Sequence, residues 1–125
     1  MSERRTILIV EDDEDLRRLF RTALALAGFD VIEAGDGLEA LHRIDSGLPD
    51  LVVLDLMLPG VSGLVVQQEL AAQAMTRRIP IVVITGSAID PTNLEVACLL
   101  RKPVTPDQLI GTVQKCLAEA SGHAV

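Results

Sequence analysis

Four short apolar runs rich in β-branched residues punctuate this 125-residue chain, at Thr6–Val10, Val31–Ala34, Leu51–Leu54 and Ile79–Thr85, with a weaker fifth at Cys98–Arg101. Near-continuous apolarity over so short a stretch is the pattern of a strand buried on both faces, since a half-exposed strand would alternate with polar residues. Between the runs the period changes. Leu16, Leu19, Phe20, Ala23, Leu24 and Ala27 recur at helical spacing, and Gly28 then supplies a stop. Leu38, Leu41 and Ile44 repeat the pattern up to Gly47 and Pro49. Two further helical stretches cover Leu64 to Ala74 and Leu109 to Leu117, the latter opened by Pro106-Asp107.

Strands that alternate with helices imply crossover connections, and hence a parallel sheet with helices on both faces. Five strands fit a small doubly wound α/β fold of the flavodoxin-like type, order 2-1-3-4-5. The length suits one domain, residues 1–125, with an ordered core over roughly residues 5–119 and short tails. A core of this size needs no disulfide or structural metal to stand. With 49% hydrophobic and 23% charged residues the chain is neither disordered nor fibrous. Its net charge of −7 argues against direct nucleic-acid binding, which selects for surplus Lys and Arg. Cys98 and Cys116 form no CxxC pair, and with His42 and His123 scattered there is no zinc spacing. They read as reduced core thiols; a disulfide would require a geometry that spacing does not reveal. No run approaches the ~20 residues of a membrane span, so a cytoplasmic location without membrane contact is expected.

In a doubly wound sheet ligands bind beyond the carboxyl ends of the strands. The first strand is followed by Glu11-Asp12-Asp13-Glu14-Asp15. Asp13 suits an N-cap, and Glu14 and Asp15 suit the positive end of a helix. Glu11 and Asp12 precede the helix and need another explanation. The third run ends on Asp55, an acid whose apolar setting makes it costly unless compensated. In the 2-1-3-4-5 order Asp55 lies beside Glu11 and Asp12. Like charges 4 Å apart repel by ~1 kcal/mol in water and ~4 kcal/mol at an effective dielectric of 20, so the cluster calls for a cation. All-oxygen donors at a small open site favour Mg2+. The fourth strand ends at Thr85-Gly86, a hydroxyl and a flexible amide, and the fifth leads into Lys102-Pro103.

Four segments taken together carry a resemblance: Ile7-Leu8-Ile9-Val10-Glu11-Asp12, Leu54-Asp55-Leu56-Met57-Leu58-Pro59-Gly60, Val82-Val83-Ile84-Thr85 and Lys102-Pro103. In this order, spanning nearly the whole chain, they resemble the receiver domain of two-component response regulators. The resemblance implies that Asp55 accepts a phosphoryl group from the phosphohistidine of a histidine kinase or phosphotransfer protein. It implies Mg2+ ligated by Asp12 and Asp55, by the Met57 backbone carbonyl and, through water, by Glu11. Thr85, Lys102 and the backbone of Met57 and Gly86 would hold the phosphoryl oxygens, and Lys102-Pro103 is expected to be cis. A conformational switch would then control an output partner or domain. The chain is expected to be a signalling protein rather than an enzyme, one that assists its own phosphorylation.

Three features depart from the family pattern. Only 17 positions separate Thr85 from Lys102, fewer than usual, and Pro91 interrupts them, so the helix between strands four and five is expected to be shortened or irregular. Leu99 stands where the family often has Tyr or Phe, which removes the usual aromatic coupling to the threonine. Ser62 replaces a common aspartate but can still cap the third helix. The first two keep open an alternative, a phosphorylation-independent interaction module. Other readings fail on chemistry. Gly35-Asp36-Gly37-Leu38-Glu39-Ala40 matches GxGxxA but follows the second strand, and Asp36 would face the pyrophosphate. A flavodoxin-type cofactor site conflicts with the acidic first loop, and a haloacid-dehalogenase-type phosphatase would want an acid where Met57 stands.

Overall fold

A computed structural model of the protein describes residues 4–86 and 98–120. The elements run β1 Thr6–Val10, α1 Glu14–Leu26, β2 Asp30–Ala34, α2 Gly37–Ser46, β3 Leu51–Asp55, α3 Gly63–Ala72, β4 Ile81–Thr85, β5 Cys98–Arg101 and α4 Pro106–Ala120. All strand pairs are parallel and the sheet order is β2-β1-β3-β4-β5, as the alternating pattern requires. The expected irregular helix between β4 and β5 falls outside the described residues.

The apolar runs are continuous because each strand feeds two cores. Ile7, Ile9, Leu51, Val53, Val82 and Ile84 point to one face, where Phe20 and Leu24 of α1 and Leu109, Val113 and Leu117 of α4 cover them. Leu8, Val10, Val52, Leu54, Ile81 and Val83 point to the other, against Ala40 and Ile44 of α2 and Val66 and Leu70 of α3. Burying each such aliphatic side chain contributes ~1.5–3 kcal/mol, so any strand slip by one residue would swap both sets at once.

Helix starts follow local capping chemistry. Asp13, Asp36 and Ser62 accept hydrogen bonds from the amides of Leu16, Glu39 and Val65 at 3.0, 2.8 and 3.3 Å. Two periodicity assignments need correction. Leu19 is 48% exposed, because it sits about 100° round the helix from Phe20 and falls off the packed stripe. In α2, Leu38 is 54% exposed and Ala40 takes the core position with Ile44. The fourth strand also starts later than its apolar run, at Ile81 rather than Ile79. Pro80, which has no N–H to give, still accepts from the Val52 amide at 3.0 Å.

Candidate phosphoacceptor site

With every strand parallel, all the carboxyl ends lie at one pole. Val10 pairs with Leu54, Asp55 with Ile84, and Thr85 with Arg101, so Glu11, Asp55, Thr85 and Lys102 succeed one another along one rim. Glu11 and Asp55 are each only 2% exposed, whereas Asp12 is exposed. The carboxylates of Glu11, Asp12 and Asp55 each place an oxygen within 4.8 Å of the others. The Lys102 ammonium stands between the two buried acids, 3.1 Å from Glu11 Oε1 and 2.9 Å from Asp55 Oδ2. A distant sequence neighbour thus provides part of the positive charge the acids require.

The other carboxylate oxygens are held by backbone. The Asp13 amide donates to Glu11 Oε2 at 3.1 Å and the Met57 amide to Asp55 Oδ1 at 2.8 Å. Lys102 is fixed from behind, its own amide donating to the Thr85 carbonyl at 2.9 Å across β4 and β5. Thr85 is fully buried. Gly86 is exposed beside the lysine, since a Cβ built on it would lie 3.8 Å from Lys102 Cδ. The Lys102-Pro103 peptide is cis, as expected. Leu99 is half-buried and packs toward the cluster under α2 and α3.

Two contributors escaped the sequence reading. Arg17 donates through Nη1 to the Glu11 carbonyl at 2.8 Å and through Nε to Glu33 at 3.1 Å, bracing the acidic loop against β2. Its only sequence signal is a base one helical turn past Asp13, two positions after the acidic run ends. Gly63 allows α3 to start against the end of β3. A Cβ there would fall on the Asp55 carbonyl oxygen and 2.6 Å from Leu56 Cα. A glycine at the first helical position, where propensity disfavours it, was the available clue.

These elements and this pole match a known group of proteins. The family model of the response regulator receiver domain covers residues 7–114. The chain belongs to that family. The phosphate regulon transcriptional regulatory protein PhoB of Klebsiella pneumoniae is 35% identical over 126 residues, 97% of this chain. The polar-differentiation response regulator DivK of Brucella anthropi is 31% identical, covering 93% of this chain and 98% of its own length. The chain spans 55% of the PhoB relative, so it corresponds to about half of that protein. Among solved structures, a response regulator from Chloroflexus aurantiacus superposes with a TM-score of 0.86 at 30% identity, covering 93% of this chain and 99% of the other. The receiver family is a signalling family, and its acidic pocket is a Mg2+ site; the cluster of Glu11, Asp12 and Asp55 is the corresponding group here. Among the described residues no helix is long and apolar enough to cross a membrane.

The receiver pocket has a distinct electrostatic signature. Burial pushes the Glu11 carboxyl up and the nearby Asp55 charge adds to it; the Asp13 amide and Lys102 pull it back, leaving a value of about 7 against an ordinary 4.5. Burial alone would lower Lys102, but hydrogen bonds and charge from Asp55 and Glu11 outweigh it and hold the ammonium above its usual range. The folded chain therefore retains the Glu11 proton to higher pH than the unfolded chain. The stability this gives is fully present below about 4.5 and is lost as pH rises through about 7. In metal-free buffer, the Tm difference between the wild type and Glu11→Gln should shift against the wild type across that interval. A difference that stays constant with pH would contradict the assignment.

Proposed function

We propose that this chain is a phosphoacceptor whose Asp55 takes a phosphoryl group from the phosphohistidine of a histidine kinase or phosphotransfer protein. The observation that carries this reading is the single pocket formed by Glu11, Asp12 and Asp55 with the Lys102 ammonium 2.9 Å from Asp55 Oδ2. An Asp55 carboxylate oxygen attacks phosphorus, the P–N bond breaks, and the imidazole leaves with its nitrogen lone pair. Phosphoryl transfer depends mainly on positioning and charge neutralisation, and these residues are suited to both. The Met57 amide orients Asp55 by holding Oδ1, leaving Oδ2 on the lysine side. Lys102, the Thr85 hydroxyl and the backbone of Met57 and Gly86 are the groups assigned to the phosphoryl oxygens.

The donor set fits Mg2+: hard oxygens only, from acids on two adjacent strand ends. Asp12, Asp55 and the Met57 carbonyl would hold the ion directly and Glu11 through water, and the bound ion would neutralise charge on the carboxylate and the phosphoryl oxygens. Mg2+ should therefore raise the Tm of the wild type by linkage, and raise that of Asp12→Ala much less. Equal shifts in the two proteins would remove Asp12 from the metal site.

Signal output follows from the added charge. A phosphoryl group brings close to two negative charges and three acceptors to a pocket lined by Thr85 and Lys102, which favours a conformation that draws these groups in. The partner controlled this way is an output protein or domain. The chain's net charge of −7 disfavours direct nucleic-acid binding by this domain. The reading places it in the cytoplasm, off the membrane; among the described residues there is no membrane-crossing helix. The presence of both the acid cluster and the lysine disfavours a phosphorylation-independent module. Incubation with Mg2+ and phosphoramidate, a donor with a P–N bond, should produce one base-labile acyl phosphate per chain in the intact mass. Absence of that product with both phosphoramidate and a phosphorylated kinase would refute the proposal.

A further inference from the structure

We propose that Cys98 and Cys116 are a dithiol site that a hydroperoxide converts reversibly to an intramolecular disulfide clamping β5 to α4. These are the chain's two cysteines, 18 positions apart, and both are free thiols. The fold turns their side chains toward each other, with the sulfur atoms 2.7 Å apart. Neither belongs to the acidic pocket: Cys98 opens β5 at the end of the strand away from Lys102, and Cys116 lies in the last turns of α4. Cys116 is buried in the core cluster under α1 and α4, and Cys98 packs against that cluster while remaining half-buried. The more exposed cysteine can meet a small oxidant, and the buried one is already positioned to resolve it.

The chemistry balances with hydrogen peroxide as the oxidant. The Cys98 sulfur attacks one peroxide oxygen, the O–O bond breaks, and one water leaves, giving a sulfenic acid. The Cys116 sulfur then attacks the Cys98 sulfur, the S–O bond breaks, and a second water carries away the Cys116 proton. Two sulfurs are oxidised and one peroxide is reduced. Burial, followed by the contact with Cys98, pushes the Cys116 thiol up to about 12. Cys116 is therefore a poor first nucleophile, and the order of steps places oxidation at Cys98. The resulting bond would anchor the start of the strand whose other end delivers Lys102 to the pocket.

The test uses the full chain at low concentration, reduced and then exposed to dilute hydrogen peroxide. The expected product has lost two hydrogen atoms in intact mass, has no free thiols, and yields a Cys98–Cys116 cross-linked peptide on non-reducing digestion. Its Tm should rise by roughly 5–10 °C and return on adding dithiothreitol. Cys98→Ser should show neither the mass loss nor the Tm rise. If that variant does not fold, the wild-type peptide map decides by itself. Retention of both thiols, or their conversion to intermolecular dimers or separate sulfinic acids, would overturn the proposal.

Discussion

Asp55→Asn should lose acyl phosphate formation completely, to the background of a protein without the donor. The effect is expected to be this large because the substitution removes the proposed nucleophile and its charge while leaving its shape. The amide keeps a carbonyl oxygen for the Met57 N–H now bound by Oδ1 at 2.8 Å, so the loop should hold its position. It gives up the ionic contact with Lys102 at 2.9 Å, but Glu11 still pairs that ammonium at 3.1 Å. Asp55→Asn should therefore fold with a Tm close to the wild type, which separates lost chemistry from lost structure. Glu11 is the other buried acid in the pocket and is the necessary control. Glu11→Gln should still be labelled, more slowly, because it removes a neighbouring charge but not the attacking oxygen. Labelling that persists in Asp55→Asn and disappears in Glu11→Gln would move the acceptor to Glu11.

The second large effect comes from a residue with no side chain. Gly63→Ala gains helix propensity worth ~1 kcal/mol, and in an open helix it would stabilise. Here the added methyl would meet backbone, the Asp55 carbonyl oxygen and Leu56 Cα, neither of which can rotate away. Overpacking costs ~1–3 kcal/mol and more where backbone must shift, so the clash wins. With a rigid backbone clash at the top of that range, a net loss of about 2 kcal/mol, or roughly 10 °C in Tm, is expected for a domain of this size. The displaced atoms belong to Asp55, the proposed acceptor, and to its neighbour. Phosphorylation should thus fall by up to ~10²-fold even at temperatures where the variant stays folded. Gly111→Ala, also helical but with nothing within 4 Å of its Cβ position, is the matched control and should be neutral or slightly stabilising. Equal Tm values for the two variants would show that α3 does not seat tightly on the end of β3.

The difference between these residues shows why parts of the site could be read early and others could not. Asp55 was visible because a charged residue ending a fully apolar run has a desolvation cost that demands a partner. Glu11 and Asp12 were visible because capping accounted for Asp13, Glu14 and Asp15 but not for them. Arg17 was hidden: it reaches the acidic loop through the Glu11 backbone carbonyl, which leaves no residue-type signature on that partner, and its ion pair with Glu33 joins residues of α1 and β2 that are 16 positions apart. Gly63 was hidden for a related reason, since the atoms it makes room for are common to every residue. The misplaced Leu19 shows the limit of periodicity itself. Apolar residues at helical spacing define a stripe, but the width of that stripe actually covered depends on how close α4 and the sheet approach.

Strand and helix identity, the parallel order of the sheet and the acids at its carboxyl rim were written in local patterning, because periodicity and the cost of burying charge act residue by residue. Which distant groups touch was decided only when the chain closed on itself. The Lys102 ammonium came to rest between Glu11 and Asp55, α3 settled onto the backbone of β3, and the sulfurs of Cys98 and Cys116 turned inward to face one another. Those contacts depend on the register and separation of packed layers, quantities that no single stretch of residues contains.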